Sequence, residues 1–440
     1  MMIRSILHFS IANIALLLVC CQCVALQTVK AQRAVALRGL DPTQLVSGKE
    51  VEGNEAYSSD YGRFRYLFAS ATNRDLFESK PDQFAVRGNG CSAVKTWMPG
   101  DPAKFYVRNG KIFLVDSDDS LNEMKKNPDP LVKALEERKR VAIMLFPGVQ
   151  IIDYSGPYEV FGEAGYEVYT VAASTEPLLA NMFQTVIPTY TFDKCPKPDI
   201  VVVPGGNVPK ADRADPRIQW ILGNAGAGTE ILSVCNGSFW LANAGLLDGK
   251  KATTYYGLLD SLKQGYPKVD VVSDSRFADN GQIICTAGLS SGIDGALHVV
   301  EKLDGKGAAQ YVALNMEYNW QPDGTFFRGD FADKYLRRAV GRNFDFGDGS
   351  DSNILEMKGD RDWWDQSWEI KSPNITAKDY MANLSKKLAS GWKLVSSDSG
   401  DTESTKWAFD GEDGKAWSAE ATVRSDANRS LVLHLTMRHS

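Results

Sequence analysis

One cysteine of the 440-residue chain stands where it could act as a nucleophile. Residues 230–234 read as a strand that leads directly into Cys235-Asn236-Gly237, and a helix is predicted to follow from Ser238. A strand that turns sharply into a helix projects the side chain at the turn above the sheet, as in a nucleophile elbow. The N–H groups and dipole at the start of the helix favour a thiolate. Cys235 is therefore predicted to attack an electrophilic carbon, and a buried cysteine that fills core space is the alternative.

The elements around Cys235 alternate between apolar runs and helical stretches. Strands are predicted at 141–146, 166–172, 199–203 and 230–234, and helices from Gly156-Pro157 to Gly165 and over 216–225. This alternation is typical of βαβ units with a parallel sheet. Ligands of such sheets bind at the carboxyl ends of the strands, where Cys235 is expected to lie.

Several motifs in residues 139–340 occur in the order found in the DJ-1/PfpI family. They are Phe146-Pro147-Gly148, residues 153–161, residues 199–206, residues 233–251, Ala252-Thr253-Thr254 and residues 286–297. On these motifs the segment resembles that family, and in particular its isonitrile hydratase-like branch. The resemblance implies an α/β fold, a flavodoxin-like parallel-sheet sandwich of the class I glutamine amidotransferase-like type. It also implies a small-molecule ligand and, as in many members, a homodimer.

The resemblance also assigns roles to single residues. Cys235 matches the family cysteine, and Asp153 matches the acidic residue that this branch places beside it. Gly206 matches the turn whose N–H forms an oxyanion pocket with the N–H of Asn236. A carboxyl near a thiolate has a raised pKa, so Asp153 is expected to stay protonated and to donate a proton. The alternative for Asp153 is an N-cap of the helix predicted to begin near Pro157.

Two positions depart from the family pattern. Tyr255 stands twenty residues past Cys235, where many members have a histidine, and Asn236 replaces the threonine common in the hydratase branch. A Cys–His dyad is therefore not expected, and Tyr255 is assigned to the substrate pocket. His298 lies on a predicted helix and is interpreted as a packed or surface residue. Isonitrile hydration needs a thiolate and an acid, so Cys235 and Asp153 would suffice for it.

A smaller α+β unit is predicted at 36–138. Aromatic residues at every second position of 64–68 indicate a strand, Asn73 and Pro81 bound a helix, and Asn109-Gly110 forms a hairpin turn. Gly39-Leu40-Asp41-Pro42, residues 66–70, residues 73–77, residues 81–84 and Gly88-Asn89-Gly90-Cys91 resemble the YHS domain. Some YHS domains are associated with metal. A soft-metal site needs several thiolate or imidazole ligands, so Cys91 is interpreted as structural, with a metal ligand as the alternative. No cofactor is predicted.

The N-terminal residues predict export. Arg4 precedes an apolar run at 11–21, and Cys23-Val24-Ala25 fits a cleavage site, so residues 1–25 are interpreted as a signal peptide. The protein is then periplasmic or secreted. An uncleaved anchor, or a lipoprotein modified at Cys20, is the alternative that would attach it to a membrane.

Residues 341–440 are predicted to form a linker and an α+β segment that resembles no family. The linker covers 345–352, a helix runs from the cap Thr376 to Gly391, and strands are expected at 407–409, 417–423 and 431–437. Together they predict a helix packed on a small antiparallel sheet.

Composition narrows the class of function. The length of 440 residues predicts two or three domains, and 43% hydrophobic with 24% charged residues indicates that the chain folds. The net charge of −6 gives no basic surface for nucleic acid. The leading hypothesis is an exported cysteine-dependent enzyme that hydrates or hydrolyses a small electrophilic carbon compound. The alternative is a non-catalytic redox sensor or ligand-binding protein that uses the same pocket.

Overall fold

The computed structural model describes residues 33–324, 326–340, 351–371, 375–425 and 430–439. The predicted signal peptide and all but the last two residues of the predicted linker at 345–352 lie outside the described residues. Two compact units are present: the described residues up to Glu137 with Ser174–Leu178 and Thr185–Tyr190, and the remainder. In the described ranges, no helix is long and apolar enough to span a membrane. The predicted domain bounds stay a prediction.

The first unit combines short strands with short helices. Its strands are Ala34–Val35, Asn54–Tyr61, Phe64–Phe68, Asp101–Arg108 and Lys111–Val115, and its helices are Pro42–Leu45, Ala71–Ser79, Pro81–Phe84, Asp118–Lys126 and Pro128–Glu136. The predicted aromatic strand is confirmed. The predicted hairpin is also confirmed, with Asn109 and Gly110 both at positive φ as its tight turn requires.

The helix cap in this unit is not the predicted one. Ser70, rather than Asn73, accepts the hydrogen bond that caps the helix Ala71–Ser79. Asn73 instead donates its side-chain N–H to Asp41 Oδ2 at 2.7 Å. The fully buried Asp41 also accepts from the N–H of Ala69 and from Thr43. This carboxylate therefore joins two helices and the end of a strand.

The second unit is built on a parallel sheet, as predicted. Its strands lie in the order Glu167–Ala172, Arg140–Met144, Ile200–Val203, Glu230–Ser233 and Ile283–Thr286, extended by antiparallel Phe277–Asp279 at one edge and the short Tyr190–Thr191 at the other. Numbered along the chain, the five parallel strands have the order 2-1-3-4-5 of a flavodoxin-like sheet. The predicted α/β sandwich is confirmed.

Helices flank this sheet and complete the sandwich. They are Ile151–Glu163, Pro216–Asn224, Ser238–Asn243, Leu259–Gly265, Ser291–Asp304 and Lys306–Asn315, with the small strands Lys251–Ala252 and Asp270–Val271 between them. The short strands Leu178–Leu179 and Thr185–Val186 lie in or at the edge of the segments assigned to the first unit. Contrary to prediction, the first of these helices begins at Ile151 and holds Pro157 inside. A proline at that point removes the N–H bond to the carbonyl four residues earlier and crowds that carbonyl, and the helix continues past it to Glu163.

After the parallel-sheet region the chain forms a separate antiparallel sheet. Six antiparallel strands lie in the order Asp351–Gly359, Trp363–Lys371, Leu431–His439, Ala416–Ser425, Thr402–Asp410 and Lys393–Asp398. The helix Ala377–Leu388, capped by Thr376, packs on it, as predicted, and the helix Asp333–Val340 adds to the same tryptophan-rich core.

Three of these strands were not predicted. Asp351–Gly359, Trp363–Lys371 and Lys393–Asp398 carry too many polar residues to read as strands at first inspection. In the second of them, however, Trp364, Gln366, Trp368 and Ile370 are all buried and alternate with more exposed neighbours. This period of two is the pattern of a half-buried antiparallel strand.

Candidate active site

Cys235 occupies the predicted elbow. The strand Glu230–Ser233 ends two residues before it, Cys235 itself adopts φ 58°, and the helix Ser238–Asn243 follows after a single tight turn. A left-handed conformation at a residue other than glycine is strained and is found at nucleophile elbows. Gly237 makes the turn possible, because a Cβ there would collide with the carbonyl oxygen of Val203.

Asp153 lies beside Cys235, as the resemblance implies. The strand Arg140–Met144 and the strand Ile200–Val203 are neighbours at the point where the strand order reverses, and Asp153 and Gly205 follow them. The carboxyl of Asp153 is fully buried, contacts the Cys235 thiol, and accepts the N–H of Gly205 at 3.2 Å. It is not an N-cap: Gln150 precedes the helix and makes no side-chain cap, so the alternative interpretation is wrong.

Burial changes the acidity of both groups. Desolvation raises the pKa of Asp153 from its usual 3.8 to about 7, although hydrogen bonds from Cys235 and the N–H of Gly205 oppose the change. Desolvation and the nearby Asp153 raise the pKa of the Cys235 thiol well above its ordinary value, and the N–H of Asn236 opposes this only in part. The expected thiolate is therefore not favoured. The following helix has only six residues, and its dipole does not offset the loss of water.

The predicted oxyanion donors are engaged differently from each other. Asn236 forms a double hydrogen bond with Gly206: its Oδ1 accepts the Gly206 N–H at 2.8 Å, and its Nδ2 donates to the Gly206 carbonyl at 2.8 Å. The Gly206 N–H is thus occupied by the amide that replaces the family threonine. The N–H of Asn236 points at the Cys235 sulfur. The oxyanion role of Gly206 stays a prediction and would need this amide to move.

A cavity of about 190 Å³ is lined by residues that contact Cys235, although Cys235 and Asp153 are not part of its lining. Tyr255 lines it, as predicted for a pocket residue, together with Thr254 and Leu289. The Thr254 hydroxyl donates to the Cys235 carbonyl at 3.0 Å, and the N–H of Leu289 interacts with both Cys235 and Asp153. Cys235 is only 8% exposed, and Thr254 and Leu289 lie between the cavity and the reactive pair.

Several residues of this site were missed in the sequence. Leu289 adopts φ 57° and brings its N–H to the pair, and Arg276, Tyr256, Phe326 and Arg328 line the cavity. Leu289 follows the strand Ile283–Thr286, so its position at a carboxyl strand end could have marked it. The other residues carry no local pattern, because only the tertiary fold brings them together.

His298 and Cys91, the other residues considered in the sequence, lie outside this site. His298 stacks on Phe277 with ring centroids 4.5 Å apart, and its ring nitrogens lie 2.9 Å from Asp279 and 3.4 Å from Glu301. Cys91 lies in the first unit, in an isolated bridge with Pro99. In the part of the chain that the structure describes, no three or more His, Cys, Asp or Glu side chains are grouped to hold a metal.

Comparison with known proteins identifies the parallel-sheet region. The model of the DJ-1/PfpI family matches residues 139–302. The chain is 34% identical to isonitrile hydratase of Pseudomonas putida over 182 residues, which cover 41% of this chain and 78% of that protein. It is 32% identical to "Deglycase PH1704" of Pyrococcus horikoshii over 109 residues, or 24% of this chain and 66% of the relative. A crystal structure of a ThiJ/PfpI family protein from Pseudomonas syringae aligns with a TM-score of 0.41 and 29% identity, over 46% of this chain and 85% of the other.

The elbow cysteine, its buried acid and the 2-1-3-4-5 sheet lie inside the matched residues 139–302. With 34% identity over 78% of isonitrile hydratase as well, the chain belongs to the DJ-1/PfpI family.

Proposed function

We propose that the protein is a cysteine-dependent enzyme that adds water to a small electrophilic carbon compound, with an isonitrile as the favoured substrate. The observation that carries the proposal is the contact between the Cys235 thiol and the buried carboxyl of Asp153. Both residues lie inside the matched family region 139–302, and the 34% identity to isonitrile hydratase supports the same class of substrate.

The pair can move the protons that hydration requires. Asp153 takes the thiol proton as the Cys235 sulfur bonds to the terminal carbon of R–N≡C, and it returns that proton to the carbon, which gives a thioimidate. Water then adds to the C=N bond and the nitrogen gains a proton. As the C=O bond forms, the C–S bond breaks and the thiol is restored, so the product is the N-substituted formamide R–NH–CHO.

Two backbone N–H groups would stabilise the negative charge that develops on the sulfur during this reaction. The N–H groups of Asn236 and Leu289 are directed at the sulfur and would stabilise it as its proton leaves. Because the thiol has a raised pKa, the proton transfer to Asp153 must accompany attack instead of preceding it. This arrangement needs no histidine at the position of Tyr255.

The proposal is tested by assaying purified protein with a panel of isonitriles, nitriles, amides and dicarbonyls. We expect formamide from the isonitriles, and a loss of about a hundred-fold or more in Cys235→Ser and Asp153→Asn. Tyr311→Ala, which changes an exposed helix residue, serves as the control. Wild-type protein that turns over none of the panel would refute the enzyme proposal.

One observation favours a second candidate, a non-catalytic protein that binds a ligand in the same pocket. The Cys235 thiol is 8% exposed and its pKa is raised, both of which slow nucleophilic attack. The same two properties slow oxidation to a sulfenic acid, so a redox sensor built on this pocket would need a movement that exposes Cys235. Mass spectrometry after mild peroxide treatment, with and without dithiothreitol, tests the redox sensor, which reversible oxidation of Cys235 without turnover of the panel would support.

We extend the proposal to the rest of the chain. Residues 36–138 would form a YHS-like interaction module, residues 139–340 the catalytic domain, and residues 341–440 a linker with an accessory domain. Residues 1–25 would direct export to the periplasm or the medium, with a lipid or uncleaved anchor as the route to a membrane. The protein would form a homodimer, as many members of the family do. N-terminal sequencing of secreted protein and light scattering test the last two points.

A further inference from the structure

Part of the cavity wall lies beyond the residues that the family model matches. The matched region ends at residue 302, but Phe326–Gly329 lines the same cavity as Tyr255 and Leu289. We call Phe326–Gly329 the distal wall. It lies in the chain that leads from the parallel-sheet region to the antiparallel sheet.

Arg328 fixes the distal wall to the structure that follows it. Its guanidinium makes two hydrogen bonds of 2.7 Å to the carboxylate of Asp333, the first acidic residue of the helix Asp333–Val340. The same guanidinium lies 5.4 Å from the ring centroid of Trp364 in the antiparallel sheet and 4.3 Å from that of Tyr256 in the cavity. A planar guanidinium that is bidentate on one side and stacked on the other holds a defined geometry. Arg328 thus connects the antiparallel sheet to the pocket.

The lining indicates what the cavity accepts. Tyr255, Tyr256, Phe326 and Phe327 supply aromatic surface. Both arginines of the lining are compensated, because Arg328 pairs with Asp333 and Arg276 pairs with Asp294. A compensated cation in an aromatic pocket gives no net attraction for an anionic ligand, whereas apolar groups gain from burial against the rings.

We propose that the distal wall selects a neutral, apolar substituent of the substrate, and that Arg328 is a positioning residue through which the antiparallel sheet holds this wall. The inference rests on the proposed function in one respect, since it places the reactive carbon at Cys235 and the substituent in the cavity. It gives the last hundred residues a role in specificity.

Alkylation of Cys235 tests the distal wall without requiring turnover. Iodoacetamide and N-benzyl-iodoacetamide share one reaction, in which the sulfur displaces iodide and its proton passes to Asp153 or solvent. The rate of each is followed on the Cys235 peptide by mass spectrometry, with Cys235→Ser to verify the assignment. The ratio of the benzyl rate to the parent rate isolates the contribution of the apolar substituent.

We expect this ratio to fall about five-fold in Phe326→Ala and in Arg328→Lys, because an aromatic contact or its support is lost. Phe326 is 56% exposed, so its replacement should leave the fold intact, and Arg328→Lys keeps the charge. Tyr311→Ala, an equally aromatic and exposed site, should leave the ratio unchanged.

The same ratio in wild type, Phe326→Ala and Arg328→Lys would overturn the inference. A fall in Phe326→Ala alone would support the wall and refute the positioning role of Arg328. If the protein hydrates isonitriles, KM should rise more for benzyl isocyanide than for methyl isocyanide in both variants. If no isonitrile is turned over, the proposed function is refuted. The ratio of the two alkylation rates can still be measured and still tests the distal wall.

Discussion

At the scale of single residues, chemistry at this site depends on where one proton resides. Below the pKa of Asp153, at about 7, both the thiol and the carboxyl hold their protons, and no base is present. Above it the pair holds one proton, which can pass from sulfur to carboxylate as the sulfur attacks. Because the thiol and the carboxyl interact, the pH at which this proton is lost is a property of the pair and not of either residue alone.

This argument predicts the pH dependence of activity. The value of kcat/KM should rise with pH through about 7 and then level off, since the pKa of Asp153 is raised to about 7 and the thiol titrates far higher. The measurement is isonitrile hydration from pH 5.5 to 9. In Asp153→Asn the rise should vanish and the rate should fall about a hundred-fold or more, because general acid–base transfer is lost. A rate that falls through pH 7 would instead assign activity to the fully protonated pair.

The sequence predicted these reactive residues better than it predicted their state. The elbow and the partnership of Cys235 with Asp153 follow from strand ends and family motifs, which local sequence carries. The raised pKa of Cys235 and the bond between Asn236 and Gly206 depend on burial and side-chain packing. Neither is encoded in a short pattern, so the expected thiolate was wrong.

At the scale of elements, the elbow depends on close approach of two backbone segments. A Cβ at Gly237 would strike the carbonyl oxygen of Val203, which ends the neighbouring strand. The turn cannot move away from this strand without moving Cys235, because the Cys235 N–H donates to the Ala287 carbonyl at 3.0 Å. The elbow is therefore held from both sides.

Gly237→Ala should accordingly reduce both stability and reactivity. We expect a loss of about 1–3 kcal/mol in the free energy of unfolding, typical of overpacking, and a lower rate of Cys235 alkylation. The matched control is Gly223→Ala, in the helix Pro216–Asn224, where an added Cβ would meet nothing within 4 Å. That change should stabilise the protein by up to about 1 kcal/mol, because alanine favours helix. Equal effects of the two changes would contradict the close approach.

Element prediction succeeded where periodicity was strong and failed where it was interrupted. The buried strands and the helix capped by Thr376 show their pattern in a few residues. The helix that carries Asp153 was started too late, because Pro157 reads as a first-turn residue although the backbone accepts it further in. The first two strands of the antiparallel sheet were missed, because one is largely exposed and the other alternates tryptophan with charge.

At the scale of the whole second unit, the helix Asp333–Val340 reaches the parallel-sheet region through an ion pair and is anchored on the antiparallel sheet by a buried ring. Arg338 forms ion pairs with Asp260 at 3.3 Å and Glu412 at 2.6 Å, and 38% of its side chain is exposed. Tyr335 lies 8% exposed between the rings of Phe409 and Trp417, with centroid distances of 5.3 and 5.1 Å. Because water and salt screen exposed ion pairs, the buried ring should dominate.

The relative size of these contacts is the basis of the last prediction. Tyr335→Ala should lower the free energy of unfolding of the antiparallel sheet by about 3–5 kcal/mol, as loss of a buried aromatic ring does. Arg338→Gln should cost under about 1 kcal/mol, and less at high salt. Urea titration followed by tryptophan fluorescence measures both, since six of the ten tryptophans lie beyond residue 352. If Arg338→Gln were as costly as Tyr335→Ala, charge would be the main link between the sheets, and the distal wall would depend on ionic strength as well as packing.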